Sequence, residues 1–225
     1  MNIMMTRFVV LSTGGIHLAA KLWAPKSADI VPRAEPLLLF VHQYAMMGGC
    51  AQLMEGMARR AAGKGYTSVT FDLRGAGKSS GSCSFTNLAE LEDVKAVIDH
   101  IVREMNKDVV IVGSSGGAAL AGATLDYSDR VRGGMLIGYT WGWWASFLFG
   151  WAFPAIEASN KPKLFIVGDN DQFTSMELYK KKINLLPGPV NEMKLIPGQD
   201  HFQIEGSEYD DCVISWLDEF ISQHM

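Results

Sequence analysis

The amino-acid sequence predicts an α/β fold: a mostly parallel sheet of about seven to eight strands with helices on both faces. Two observations carry this prediction. Short runs that are apolar throughout, as in strands covered on both faces, alternate along the chain with segments of helical apolar spacing. No repeat, linker or low-complexity tract interrupts the alternation. We therefore expect one domain over residues 1–225.

The first elements are predicted in order from local patterns. Strand-like runs at 8–11 and 16–23 surround a Thr-Gly-Gly turn, which indicates an antiparallel hairpin. The run 37–42 is apolar throughout and predicts a buried strand. Helical spacing over 52–64 predicts a helix that ends at Gly65, and 67–72 is the next strand.

The second half continues the alternation. An apolar stripe predicts a helix over 88–105 with Asn87 or Thr86 as its N-cap. A buried strand at 108–112 leads into a glycine-rich turn and a helix over 118–125. The remaining predicted elements are strands at 134–139, 163–167 and 192–195 and a helix at 208–222. Because such sheets bind ligands beyond the carboxyl ends of their strands, we searched those loops for function.

Charge and cysteine content exclude several classes of protein. With 20 Lys plus Arg against 24 Asp plus Glu, the net charge is −4, which gives no basic footprint for nucleic acid or an anionic membrane. The three cysteines fit neither a disulfide framework nor a zinc site. We see no signal peptide, and the apolar stretch 135–156 is interrupted by glycines and a proline, which disfavours a membrane span. A cytoplasmic protein is expected.

A G-x-S-x-G pattern supplies the first candidate for chemistry. Gly113-Ser114-Ser115-Gly116-Gly117 has strand-like residues before it and helix-like residues after it. A serine at such a sharp turn needs very small neighbours, and its hydroxyl is held clear of the sheet. Ser115 is therefore the candidate nucleophile and Ser114 is not. The pentapeptide alone also fits an ordinary glycine-rich turn between a strand and a helix.

A serine hydroxyl needs a base within hydrogen-bond reach, and the chain has five histidines. His201 follows the last predicted strand, where the chain order Ser, Asp, His places the base. Of the others, His42 ends a strand before the nucleophile, and the remaining three lie in the hairpin, within a helix and at the terminus. We take His201 as the candidate base.

The orienting carboxylate is expected in a loop between the serine and the histidine. Gly168-Asp169-Asn170-Asp171 follows the strand 163–167 directly. We prefer Asp171 to Asp169, because an Asp next to the strand commonly caps the backbone of its own turn.

A rival phosphate-loop interpretation of the segment 75–79 fails. The pattern G-x-x-x-x-G-K-[ST] requires glycine where the chain has Asp72, and it requires a helix directly after Ser79. A tight turn in which Arg74 and Asp72 brace neighbouring loops is favoured instead.

Together these motifs resemble the α/β-hydrolase superfamily. They are the segments 71–79, 113–117, 168–171 and 198–201, in the expected order and over nearly the whole chain. The similarity is greatest to small lidless serine hydrolases. It implies a sheet of eight strands or slightly fewer, no separate lid domain, and hydrolysis through an acyl-enzyme without metal or organic cofactor.

An oxyanion hole needs two preset N–H donors. Gly116, after the nucleophile, supplies one, and by resemblance Tyr44 supplies the second. Many members of the superfamily have glycine where this chain has Gln43, which we assign to the substrate-binding residues. Gly48 and Gly49 can restore slack to this loop.

The segment 139–153 carries seven aromatic residues besides Tyr139. About two dozen residues separate Tyr139 from Lys163, which is too few for a lid domain. Two interpretations stay open: the aromatic side chains form core or a dimer surface, or several of them, Trp143 and Trp144 included, wall an apolar acyl pocket beside Ser115.

The leading hypothesis is a carboxylic-ester or thioester hydrolase that acts on an acyl substrate of modest size that is at least partly apolar. A peptidase, amidase or acyltransferase would use the same three residues. A non-catalytic binding protein with the same fold is the alternative from a different class. A homodimer is possible on the aromatic segment.

Overall fold

One sheet organises the computed structural model, which describes residues 3–26 and 30–225. Within these ranges its eight strands are β1 (Ile3–Ser12), β2 (Ile16–Pro25), β3 (Leu37–Val41), β4 (Ser68–Phe71), β5 (Val109–Ser114), β6 (Val131–Ile137), β7 (Lys163–Gly168) and β8 (Asn191–Ile196). Their order is β1-β2-β4-β3-β5-β6-β7-β8. β2 is antiparallel to β1 and β4, and every pairing from β4 to β8 is parallel. The predicted mostly parallel sheet is confirmed.

Helices cover both faces of the sheet, as predicted. They are α1 (Glu55–Gly63), α2 (Leu91–Glu104), α3 (Gly116–Ala123), α4 (Trp143–Phe149), α5 (Phe153–Ala158), α6 (Met176–Leu185) and α7 (Asp210–His224). Helices α1 and α7 share one apolar core with the sheet. Helices α2, α3, α5 and α6 share the other. The central strand β3 shows why its sequence is apolar throughout: Leu39 faces one core and Phe40 the other, and both are fully buried.

The predicted cap of the second helix is wrong. Helix α2 begins at Leu91. Glu90, the residue before it, makes no capping hydrogen bond with its side chain. Asn87 is instead buried at a backbone φ of +58°, and its Nδ2 donates a hydrogen bond to the carbonyl oxygen of Gly116, 3.1 Å away. Tertiary contact with the turn after β5 therefore overrides the local capping preference.

Two short helices connect β6 to β7. In the described part of the chain, α4 and α5 with the turn between them occupy this connection, and they do not form a separate lid domain. The apolar stretch 135–156 is thus divided among a strand and short helices. None of the helices that the structure describes combines the length and apolar character needed to cross a bilayer.

A buried ion pair ties the sheet edge to α2. Arg74 donates from Nε and Nη2 to the two carboxylate oxygens of Asp93, at 2.9 and 2.6 Å. The Ser12 hydroxyl donates to the same carboxylate at 2.6 Å, and the Asp93 side chain is fully buried. Asp72 joins two further loops, because its carboxylate accepts hydrogen bonds from the backbone amides of Ala51 and Lys78. The predicted bracing role of both residues is confirmed.

We expect Arg74→Met to lower the free energy of unfolding by about 3–5 kcal/mol, because it leaves the Asp93 carboxylate buried without its cation. Urea denaturation at neutral pH measures this loss. The matched control is Arg132→Met, since Arg132 lies half exposed and 3.8 Å from Asp108; it should change stability by less than about 0.5 kcal/mol. A similar small change for both variants would contradict the prediction.

Candidate active site

Ser115 occupies a strained turn at the carboxyl end of β5. Its backbone adopts φ +52° and ψ −119°, and α3 begins at the next residue. A positive φ in a residue with a Cβ costs free energy and persists only where neighbouring contacts enforce it. Here the Ser115 N–H donates to the carbonyl oxygen of Ile137 on β6 at 2.9 Å. The turn therefore holds the hydroxyl at the edge of the sheet.

The flanking glycines of the pattern are required by close backbone contacts. A Cβ at Gly113 would lie 2.3 Å from the carbonyl oxygen of Gly117. A Cβ at Gly117 would lie 2.3 Å from the carbonyl oxygen of His42. No larger residue fits at either position without moving the backbone.

His201 lies between the serine and a carboxylate. Its Nε2 is 2.9 Å from Ser115 Oγ, and its Nδ1 is 2.8 Å from Asp171 Oδ2. The imidazole is 1% exposed. A Cβ at Gly138 would come within 2.9 Å of His201 Cε1, so this glycine on the β6 loop leaves room for the ring. The structure thus brings together the three residues predicted to form a triad.

The two aspartates after β7 have different partners. Asp171 Oδ1 accepts hydrogen bonds from the backbone amides of Phe173 and Thr174, at 2.8 and 2.9 Å, which leaves Oδ2 for His201. Asp169 Oδ1 accepts from the backbone N–H of Gly198 at 2.6 Å and so joins the β7 loop to the loop that carries His201. Only Asp171 contacts the imidazole.

The two predicted oxyanion donors are neighbours. A Cβ at Gly116 would lie 3.2 Å from the Tyr44 nitrogen. The Gly116 N–H belongs to the first turn of α3, where amides have no partner within the helix. The Tyr44 N–H has no hydrogen-bond acceptor among the described residues. Gly49 packs so closely on the Gln43 backbone carbonyl that a Cβ there would be 2.1 Å from its oxygen, so the course of this loop requires glycine at position 49.

His42 braces this loop from below. It is fully buried, its Nδ1 lies 2.7 Å from the Gln43 carbonyl oxygen, and its Nε2 accepts from the backbone N–H of Leu73 at 3.0 Å. These partners require the neutral ring with the proton on Nδ1. Burial lowers the pKa of His42, in opposition to the smaller effects of Gln43 and Asp72. Its role is structural, apart from the reacting groups.

An apolar pocket of about 290 Å³ opens beside Ser115 and His201. Its other lining residues are Tyr44, Met47, Thr140, Ala145, Leu148, Phe149, Phe173 and Phe202. A larger groove of about 480 Å³ lies between β1 and α2, but its lining includes none of Ser115, His201 and Asp171. The pocket beside Ser115 is therefore the one that can hold a substrate at the reacting groups.

The predicted substrate-binding residues need correction. Trp143 is 72% exposed and does not line the pocket. The side chain of Trp144 lies outside the described part of the structure. Gln43 does not line the pocket either, because its side chain turns toward Glu205 behind the nucleophile turn. The aromatic segment instead contributes Phe149 to the pocket and Trp141 to the core.

The remaining pocket walls were missed from the sequence. Phe173 and Phe202 flank the His201 ring with centroid distances of 4.7 and 5.5 Å. Both stand within two residues of a predicted triad member, and this adjacency was an available signal. No sequence signal pointed to Leu148 and Ala145, because the packing of α4 decides which of its sides faces Ser115.

Comparison with known proteins independently supports the assignment of the fold. The model of a family described as the alpha/beta hydrolase family matches residues 38–202. No protein in a search of curated sequences matches the chain.

Several solved structures share the fold. An alpha-beta serine hydrolase homologue from Coxiella burnetii is 22% identical, with a TM-score of 0.77, and the match covers 94% of this chain and 97% of that one. A serine hydrolase without a lid from Xanthomonas campestris is 17% identical, with a TM-score of 0.76 and coverage of 97% and 94%. An esterase from Pyrococcus furiosus is 16% identical, with a TM-score of 0.78 and coverage of 99% and 94%. At these identities the likeness establishes the fold alone.

The buried neutral His42 predicts a distinct pH dependence of stability. Because its pKa is lower in the folded protein than in the unfolded chain, its contribution is present above about pH 6.5 and is lost as the pH falls. His42→Asn should lower the free energy of unfolding by about 1–3 kcal/mol at pH ~7, since the Leu73 N–H loses its acceptor. It should then lose less stability than the parent between about pH 7 and about pH 5.

Urea denaturation at both pH values measures this difference, and other titrating groups cancel because both proteins contain them. His17→Asn is the control, since His17 is exposed on the opening hairpin; it should keep the parent's pH dependence. An equal acid loss in His42→Asn and the parent would show that His42 does not contribute.

Proposed function

This chain belongs to the alpha/beta hydrolase family, and we propose that it hydrolyses a carboxylic ester or thioester through an acyl-enzyme on Ser115. The observation that carries the proposal is the hydrogen-bonded series from Ser115 Oγ to His201 and on to Asp171, at 2.9 and 2.8 Å, at the mouth of an apolar pocket. Serine, histidine and carboxylate in this order are what activation of a hydroxyl requires.

In the first half of the proposed reaction, Ser115 Oγ attacks the substrate carbonyl carbon and His201 Nε2 takes the hydroxyl proton. Asp171 accepts from His201 Nδ1, which fixes the tautomer and stabilises the imidazolium. The carbonyl oxygen becomes an oxyanion, and the amides of Tyr44 and Gly116 are the proposed donors to it. Collapse of the intermediate breaks the bond to the alcohol or thiol, which leaves with the proton from His201.

In the second half, a water molecule gives a proton to His201 and attacks the acyl carbon. A second oxyanion forms at the same two amides. When it collapses, the bond to Ser115 breaks, Oγ recovers its proton from His201, and the carboxylic acid is released. The substrate, one water molecule and the three side chains balance these steps.

The pocket supports an apolar acyl group of modest size. Apart from the site residues Ser115 and His201, its walls are aliphatic or aromatic with the exception of Thr140 and the tyrosine. Burial of methylene groups against such walls favours an acyl chain over a charged or peptide-like one. This is why we propose an ester or thioester rather than a peptide as substrate.

Reaction with a fluorophosphonate probe tests the proposal most directly. The parent should be labelled at Ser115 and should hydrolyse p-nitrophenyl butyrate. Ser115→Ala should abolish both, with an unchanged melting temperature, because it removes a hydroxyl that only acylation requires.

Ser114→Ala tests which serine reacts: it should keep measurable labelling and activity, reduced about tenfold because the buried Glu205 carboxyl loses the hydroxyl that donates to it. An active Ser115 variant beside an inactive Ser114 variant would show that the wrong serine is assigned. A parent that is not labelled at any pH would favour a binding protein with a hydrolase fold.

Acyl-chain selectivity tests the pocket. Leu148→Ala removes part of the pocket wall, so the ratio of kcat/KM for an octanoate ester to kcat/KM for an acetate ester should fall about fivefold. Trp143→Ala is the control, since Trp143 does not line the pocket, and it should leave the ratio unchanged. The measurement is kcat/KM for acetate, butyrate and octanoate esters, with melting curves alongside. A uniform loss across the three esters in Leu148→Ala would contradict the assigned acyl pocket.

A further inference from the structure

A second carboxyl group lies directly behind the nucleophile turn. Glu205 stands four residues after His201, at the end of a short 3-10 turn, Gln203–Glu205. Its Oε1 accepts a hydrogen bond from the Ser114 hydroxyl at 2.5 Å. Ser114 is 1% exposed and immediately precedes the proposed nucleophile. Neither Glu205 nor this bond takes part in the reaction steps described above.

The same carboxyl also contacts the oxyanion loop. The Gln43 side chain lies next to Glu205 and lowers the pKa of its carboxyl, and Gln43 immediately precedes Tyr44. The Gln43 Oε1 atom is buried and has no hydrogen-bond partner among the described residues. Glu205 therefore contacts the residue before the nucleophile and the residue before the oxyanion donor, from the loop that carries the base.

Stability alone does not explain a carboxyl at this position. The small cavity next to Glu205 is lined by apolar side chains that include Met57, Ile137, Ile204 and Val213. Burial raises the pKa of Glu205, and its contacts with Ser114, His201 and Gln43 only partly oppose that effect. An apolar residue of similar volume would avoid this desolvation cost. We therefore look for the role of this carboxyl in the groups that it contacts.

We propose that Glu205 is a positioning residue, whose carboxyl binds the Ser114 hydroxyl and the Gln43 amide and so holds the nucleophile turn, the oxyanion loop and the His201 loop in register. This inference rests on the proposed function. A shift of about 1 Å between these loops would separate the attacking oxygen from the donors that receive the oxyanion, and such displacements reduce rates about 100-fold.

The charge of Glu205 has a second effect. His201 and Asp171 face it on the side of the triad, and Tyr209 and Asp210 lie across the small cavity. Asp210 is paired with Arg60 at 3.3 Å. His201 lies within electrostatic reach of Glu205, so a Glu205 carboxylate attracts the imidazolium that forms in the proposed reaction.

Two substitutions separate the hydrogen bond from the charge. Glu205→Leu removes both, and we expect kcat for p-nitrophenyl butyrate to fall about tenfold or more with KM changed less than about threefold. Glu205→Gln keeps an oxygen that accepts from Ser114, and the Gln43 amide can reverse to match it. This variant should keep kcat within about threefold at its optimum, while its acid limb of kcat/KM and of fluorophosphonate labelling moves to lower pH.

Glu208→Gln is the matched control, since Glu208 is exposed three residues further on, and it should resemble the parent in both readouts. Asp210→Asn should leave the acid limb in place, which excludes titration of Asp210 as its origin. Parent-like kcat in Glu205→Leu, or equal loss in the Leu and Gln variants, would overturn the positioning role. If Glu205→Leu does not fold, parent-like kcat in both Ser114→Ala and Gln43→Ala overturns the positioning role, because each substitution removes a group that the carboxyl is proposed to bind.

The same measurements distinguish failure of this proposal from failure of the proposed function. A parent without labelling at Ser115 overturns both proposals. A labelled, active parent with unaffected Glu205 variants overturns only this one.

Discussion

The sharp turn at the carboxyl end of β5 is the constraint on which the rest of the site depends. Ser115 must hold a positive φ, and this conformation is stable only because the Ile137 carbonyl accepts its N–H and because Gly113 and Gly117 allow the backbone to pass closely. The contact between Gly117 and the His42 carbonyl fixes the distance from this turn to the end of β3. The close packing at this turn brings the residues after β3 against the start of α3, where the backbone nitrogen of Tyr44 lies next to Gly116.

The other loops are joined to one another as well as to the sheet. Asp169 binds the loop of His201 through the Gly198 amide, and the Gln172 side chain accepts from the His201 N–H at 3.2 Å. Asp171 is held by two amides of its own loop before it meets the imidazole. Asp171 and His201 of the proposed triad therefore have their orientation set by bonds that do not involve a substrate. Such an arrangement reduces the reorganisation that a reaction would otherwise require.

The sequence predicted best what depends on local chemistry. The buried strands, and the loops that carry Ser115, Asp171 and His201, follow from apolar runs and from residue order. Helix α6 was missed although Ser175 caps it by accepting from the Leu178 N–H, so a local signal existed. No local signal indicated helix α4, because apolar residues lie on all its sides and leave no helical periodicity in the sequence. The direction of Gln43 and the burial of Asn87 depend on residues far away in the chain, which a pattern of neighbours does not contain.

The surroundings of Asp171 and Glu205 argue for different tasks on the two sides of His201. Asp171 accepts hydrogen bonds from two backbone amides and lies 2.8 Å from the imidazole Nδ1. Glu205 receives one hydroxyl and one amide in a largely apolar setting, and burial raises its pKa. The first carboxyl binds the ring directly, whereas the second binds neutral groups on two separate loops and acts on the ring only through its charge. Two carboxyls near one histidine are then not redundant, because the groups that surround each of them decide what it does.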